Sequence, residues 1–96
     1  MAGCKFINSN NEDFYIGWVS SDFLNKKDVF DYFETDNDLV TEDELIVTSK
    51  EVLKTVSDKM IAAVNSEPRL REDLRTKILD LSNFLLSTDT IQMVLV

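Results

Sequence analysis

Residues 49–87 have the sequence SKEVLKTVSDKMIAAVNSEPRLREDLRTKILDLSNFLLS, and their apolar residues recur at intervals of three and four. This spacing places the apolar side chains on one face of an α-helix. Asn65 can end a first helix, and Pro68 favours the first turn of a second, where its missing N–H costs nothing. We therefore predict two helices that pack as an antiparallel hairpin. Their predicted core faces are Val52, Leu53, Val56, Met60, Ala63 and Val64, followed by Leu70, Leu74, Ile78, Leu81, Phe84 and Leu85.

Three stretches outside these helices have the composition of β-strands. Residues 4–20 place Phe14, Ile16 and Trp18 at alternate positions after a polar, asparagine-rich turn, which predicts a β-hairpin. Residues 90–96, TIQMVLV, are apolar at successive positions, which is typical of a strand buried between neighbours. Residues 44–48 fit either a strand or a helix. A capping box formed by Thr48 and Glu51 favours a short strand that ends where the helix begins.

These elements predict a single α+β domain over residues 1–96. Its small antiparallel sheet consists of the N-terminal hairpin and the C-terminal strand, and the helical hairpin packs on one face of that sheet. A further short helix, predicted over about residues 26–33, would cover a sheet edge. A chain of 96 residues with 44% apolar content is sufficient for one modest core.

Acidic residues are concentrated in residues 28–44, DVFDYFETDNDLVTEDE, which hold eight acids and no base. The whole chain has 18 acids and 10 bases, a net charge of −8. Residues 1–48 contain three bases and eleven acids (3 − 11 = −8), whereas residues 49–96 contain seven of each (7 − 7 = 0). The helical half is therefore expected to act as a scaffold, and the first half to display the charge.

Several kinds of chemistry are excluded or disfavoured by composition. No histidine is present to act as a general base or metal ligand, and Cys4 is the only cysteine. The run Asp36–Asp38 resembles the start of a calcium loop, but the glycine and the glutamate that such a loop requires are missing. With two glycines, the chain cannot form a glycine-rich phosphate loop. We therefore predict no catalytic residue, no metal site and no cofactor.

The location and the excluded partners follow from the same composition. The chain lacks a signal peptide pattern and any run of roughly 20 apolar residues, so a cytoplasmic protein is expected. Its strongly negative surface disfavours direct binding to nucleic acid or to an anionic membrane. Monomer and homodimer both remain open.

Acids interleaved with aromatic residues are typical of a surface that meets a basic partner. The expected function is a non-enzymatic inhibitor or an immunity or antitoxin-type protein. It would mask a basic partner such as a nuclease or a DNA-binding effector, with carboxylates mimicking nucleic-acid phosphates. The predicted partner-binding residues are Asp28, Asp31, Tyr32, Glu34, Asp36, Asp38, Glu42 and Asp43.

Three other interpretations compete with this one. The acidic run can be a solvated face that only keeps the protein soluble. The chain can be a structural or adaptor subunit that associates through the helical hairpin or a sheet edge. A carboxylate-based enzyme is the remaining alternative, and it requires a pocket with converging acids.

Overall fold

The computed structural model describes residues 3–18, 29, 31–33 and 44–96. Within these residues, the strands and the long helices follow in the order β1 (Gly3–Asn8), β2 (Asp13–Gly17), β3 (Glu44–Val47), α1 (Lys50–Ser66), α2 (Glu72–Leu86) and β4 (Ile91–Leu95). The strands form one antiparallel sheet in the spatial order β2-β1-β4-β3. The predicted α+β fold is confirmed, and β3 is the short strand expected over residues 44–48.

The N-terminal hairpin pairs β1 with β2 in a regular register, from Gly3 opposite Gly17 to Ile7 opposite Asp13. Its turn depends on Asn8, whose Oδ1 accepts hydrogen bonds from the backbone N–H groups of Asn10 and Glu12, both at 3.0 Å. Asn11 has a φ of 64°, a left-handed conformation that asparagine tolerates better than most residues. The asparagine-rich composition of the turn is thus explained by backbone hydrogen bonding.

β4 is a central strand, paired with β1 on one side and with β3 on the other. Ile91, Met93 and Leu95 are buried on the face that meets the helices, whereas Gln92 and Val94 are half-buried on the opposite face. The position between two neighbours agrees with the prediction. β4 is therefore fully buried on one face only, and its apolar residues contribute to a single hydrophobic core on that face.

The helices begin later than their sequence signals predict. The N-cap of α1 is Ser49, whose Oγ accepts a hydrogen bond from Val52 N–H at 3.3 Å, so Thr48 is not the cap. Pro68 lies in a turn, and α2 begins four residues after it, at Glu72. The Arg75 guanidinium donates to the carbonyls of Val64 (3.0 Å) and Glu67 (3.1 Å). These bonds satisfy carbonyls at the end of α1, which a continuing helix would otherwise have to pair.

α1 and α2 pack against each other as an antiparallel hairpin. The Ser57 hydroxyl, fully buried, donates to the Ser82 carbonyl at 3.4 Å, while Arg75 reaches Val64 nearer the connection. Residue numbers rise in one helix as they fall in the other, as an antiparallel pair requires. Val52, expected in the core, is 38% exposed. The core combines Leu53, Val56, Met60, Val64, Ile78, Leu81 and Leu85 with Cys4, Phe6, Ile16, Ile91, Met93, Leu95, Val29 and Phe33.

The predicted helix over residues 26–33 is described only in part. Asp31 and Tyr32 are helical, and Phe33 N–H donates to the Val29 carbonyl at 3.3 Å. The other residues of this prediction lie outside the described part of the chain. Val29 and Phe33 are buried in the core, and their interval of four residues is compatible with one face of a helix.

Candidate partner-binding surface

Within the acidic stretch, the described residues divide into core anchors and surface. Val29 and Phe33 are 1% and 6% exposed, four residues apart on one side of a helical turn. Asp31 lies between them in sequence and is exposed. Buried anchors on both sides therefore fix the backbone that carries this carboxylate. Asp28, Glu34, Asp36, Asp38, Glu42 and Asp43, the other predicted acids, lie outside the described residues.

Tyr32, the predicted aromatic contact, is half-buried and packs against the core. Its ring thus belongs partly to the scaffold. Phe33 goes deeper and stacks on Phe6 of β1, with ring centres 6.3 Å apart and planes inclined by 27°. Phe33 therefore attaches this stretch to the sheet and Tyr32 packs against the core, roles that the interleaved acids and aromatic residues did not reveal.

The sheet has one face covered by the helices and a second face, which we call the outer face. Strand alternation places Gly3, Lys5, Ile7, Tyr15, Ile46, Gln92 and Val94 on the outer face. Apart from Gly3, none of these residues is buried. Ile46 is 60% exposed and Tyr15 is 45% exposed, the two highest values among the large apolar side chains described. The outer face is thus a mixed apolar and polar surface.

Charged groups of both signs lie near the β2 edge of the sheet. Lys77 of α2 places its Nζ 5.9 Å from the centre of the Tyr15 ring, within cation–π range. Lys5 Nζ lies 3.9 Å from Asp13 Oδ2, with both side chains substantially exposed. An exposed pair of this kind contributes about 0–1 kcal/mol. Lysine near an edge strand also discourages pairing with another strand.

Trp18, which follows β2, is partly buried against the core. Its Nε1 is buried and has no hydrogen-bond partner among the residues that the structure describes. Leaving such a donor unpaired costs about 1–3 kcal/mol. The contacts of Trp18 belong to the core side of β2, the side that it shares with Phe14 and Ile16 in the predicted alternation.

Cys4 is buried on the helix-covered face of β1. Burial raises the pKa of the thiol from 9.0 to about 12, and a hydrogen bond with the Val94 backbone opposes this effect. The nucleophilic thiolate is therefore suppressed near neutral pH. Cys4 therefore acts as a small apolar residue of the core.

A pocket of about 280 Å³ lies where the start of α1 meets the end of α2. Its walls are almost entirely apolar, and the one carboxylate that lines it is Glu51. The walls supply no second carboxylate beside Glu51, so this pocket does not provide the converging acids that the enzyme interpretation requires. Lys50, Glu51, Lys54, Leu85, Leu86 and Thr88 form the lining.

Two searches of the described residues gave negative results. No group of three or more histidine, cysteine, aspartate or glutamate side chains there is placed to hold a metal ion. No helix in the same residues combines the length and the apolar character needed to span a bilayer.

By fold, the chain is an α+β protein with a four-stranded antiparallel sheet and a helical hairpin on one face. Comparisons with models of protein families, with curated proteins and with solved structures find no match. The candidate surface is therefore defined by chemistry alone: the acidic stretch, its anchors Val29 and Phe33, and the adjoining sheet edge.

Proposed function

We propose that this chain is a non-enzymatic acidic binding protein of the inhibitor or immunity and antitoxin type. Its partner would be a basic protein, such as a nuclease or a DNA-binding effector, whose positive surface it masks. The observation that carries the proposal is the location of the charge. The whole net charge of −8 resides in residues 1–48, and within its acidic stretch Asp31 is held at the surface by the buried anchors Val29 and Phe33.

The proposed mechanism is electrostatic. Carboxylates attached to a packed scaffold attract a basic surface over about 10 Å at moderate salt, which accelerates encounter. Once bound, they occupy positions that nucleic-acid phosphates would take on the partner. The neutral helical half does not oppose this attraction, because its seven acids and seven bases cancel. Such a protein would act in the cytoplasm, where its partner meets nucleic acid.

The contact residues of the proposal remain those named from the sequence. Of these, Asp31 is exposed and Tyr32 is half-buried. The carboxylates of Asp28, Glu34, Asp36, Asp38, Glu42 and Asp43 complete the proposed surface.

The test begins with affinity capture from a lysate of the source organism and identification of bound proteins by mass spectrometry. Association kinetics with the purified partner are then measured at several salt concentrations. The test variant replaces Asp36, Asp38, Glu42 and Asp43 with Asn or Gln. The matched control removes four exposed charges from the neutral half, at Asp58, Glu72, Asp80 and Asp89.

A charge-led inhibitor predicts a steep loss of association rate with salt, and a loss in the test variant that clearly exceeds that of the control. Equal losses would mean that only total charge matters. Salt-independent binding to both variants would reject the proposal. That result would favour the second candidate function, an adaptor that associates through apolar contacts. The exposed side chain of Ile46 is the observation that supports this alternative.

A further inference from the structure

We propose that the open edge of β3 receives an extended basic segment of the partner as a fifth strand of the sheet. This inference rests on the proposed function, because it names the manner in which a basic partner would bind. The carrying observation is the position of Ile46, which is exposed on an edge strand that directly follows the acidic stretch.

The hydrogen-bonding direction of β3 follows from the sheet register. Gly3 and Val96 exchange both backbone hydrogen bonds, at 2.9 and 3.0 Å, so Val96, Val94 and Gln92 direct their N–H and C=O groups toward β1. Met93 and Ile91 consequently bond toward β3, where they face Leu45 and Val47. Ile46 lies between Leu45 and Val47 and directs its own N–H and C=O away from β4. Both groups therefore face the open edge.

The described part of the chain provides no strand on that side of β3, which ends the sheet. Ile46 also leaves 60% of its side chain accessible on the outer face. An added strand would pair with the backbone of Ile46 and cover its side chain, the combination that drives peptide recognition by strand addition. Edge strands without lysine or proline are the ones open to such pairing.

Charge selects both the edge and the occupant. Glu42, Asp43 and Glu44 are three consecutive acids, the last of which begins β3, so a basic segment is attracted to this edge. At the β2 edge, the same segment would meet the ammonium group of Lys77 beside Tyr15, and the acid of that strand, Asp13, is already paired with Lys5. A second copy of the chain fits less well, because each copy has a net charge of −8 and pairing would bring two acidic stretches together.

The experiment uses the full chain labelled with ¹⁵N and a synthetic peptide of alternating arginine and valine at low salt. The matched control peptide has the same sequence with N-methyl groups on alternate residues, which removes its hydrogen-bond donors along one edge and retains its charge. Amide hydrogen exchange is followed residue by residue. Strand addition predicts that the Ile46 amide exchanges rapidly alone and becomes protected with the parent peptide, whereas the N-methylated peptide protects it much less.

Two variants separate backbone pairing from side-chain contact. Ile46→Pro removes the N–H that faces the open edge and retains the ladder bonds of Leu45 and Val47 to β4, a position where an edge strand accepts proline. Ile46→Thr keeps the N–H and changes only the side chain. We expect about a tenfold loss of peptide affinity for Ile46→Pro, the amount that one lost hydrogen bond in a bound strand would produce, and a smaller loss for Ile46→Thr.

The possible failures are distinguishable. Peptide binding that depends on the acidic residues but leaves Ile46 unprotected, with Ile46→Pro binding normally, overturns strand addition and leaves the proposed function standing. Peptide binding that is insensitive to both the acidic residues and Ile46 argues against both. Protection of Ile46 in the absence of peptide, together with a dimer mass by light scattering, would assign the edge to a second copy and reject the basic occupant. Circular dichroism of both variants verifies that they are folded.

Discussion

Phe33 stacks on Phe6 with their ring centres 6.3 Å apart, so a residue of the acidic stretch is built into the sheet core. Phe6 is fully buried on β1, and Phe33 is 6% exposed. This aromatic pair, together with the buried Val29, joins the acidic stretch to the hydrophobic core. The position of the acidic stretch therefore depends on the contact between Phe6 and Phe33. The contact itself involves none of the acidic side chains.

Phe33→Ala is expected to destabilise the protein by about 3–5 kcal/mol, because it removes a buried ring and leaves a cavity against Phe6. Urea denaturation monitored by circular dichroism measures the change. Asp31→Ala, two residues away and exposed, is the control and should alter stability by no more than about 0.5 kcal/mol. Comparable stability of the two variants would mean that the stacking contributes little.

Gly3→Ala should destabilise the hairpin. A Cβ on Gly3 would collide with the Ile16 carbonyl oxygen and would lie 2.7 Å from the Tyr15 hydroxyl. Overpacking of this kind costs about 1–3 kcal/mol. Thermal unfolding of Gly3→Ala should show a lower Tm than the parent chain. The same substitution in a Tyr15→Ala background should still be destabilising, because the contact with the backbone of Ile16 remains; full rescue would locate the strain in the Tyr15 ring alone.

Deletion of residues 90–96 is expected to unfold the protein. β4 holds β1 and β3 together, and it buries Ile91, Met93 and Leu95 in the core. A domain of this size has only about 5–15 kcal/mol of stability to lose. Far-UV circular dichroism and a melting curve test this. A truncated chain that retains the native spectrum and melting temperature would contradict the central position of β4.

The buried thiol of Cys4 predicts a loss of stability at high pH. Its pKa is 9.0 when unfolded and about 12 when folded. Below pH 9 both states carry the proton and the stabilisation is complete. Between pH 9 and about 12 only the folded state retains the proton, so stability falls as pH rises. Melting temperatures across this range should fall faster for the parent chain than for Cys4→Ala, and parallel curves would show that the thiol is not responsible.

Cys4 should also resist thiol reagents in the folded protein, because it is 0% exposed and its thiolate is suppressed. Reaction with a disulfide reagent near neutral pH is expected only after urea unfolds the chain. Rapid reaction of the native protein would place Cys4 at the surface.

Neutralising Asp36, Asp38, Glu42 and Asp43 to Asn or Gln should leave the Tm unchanged or raise it, because crowded like charges repel one another. This measurement needs no partner, and differential scanning calorimetry is sufficient. The matched neutralisation of Asp58, Glu72, Asp80 and Asp89 should lower the Tm slightly, since these acids balance the bases of the helical half. A large fall in the first variant would show that the acidic stretch is structural.

Local patterns predicted the helices well, because apolar residues at intervals of three and four fit an α-helix and do not fit the alternation of a β-strand. Leu53, Met60, Ile78, Leu81 and Leu85 all lie in the core as expected. The start of α2 was predicted too early because Pro68 is equally compatible with a turn. The hydrogen bonds of Arg75 to the carbonyls at the end of α1 favour the turn over a helix at Pro68. They connect residues 8 and 11 positions apart, so a local pattern does not reveal them.

The candidate surface was predictable in composition but not in geometry. The eight acids of residues 28–44 are evident in the sequence, and the interval of four between Val29 and Phe33 is compatible with one helical face. The open edge at Ile46 was not predictable, because it depends on the strand order β2-β1-β4-β3. Strand order results from pairing between distant segments, which no local periodicity encodes.

The anchoring of Phe33 in the core and of Glu44 in β3 limits how far the charge between them can spread. Ten residues separate these two positions, so no residue of this interval is more than five residues from a fixed point. At about 3.5 Å per residue, each of the five acids there remains within about 18 Å of the scaffold in any conformation. The two fixed ends therefore act as tethers, and the length of the interval alone keeps the effective concentration of carboxylate near the scaffold high.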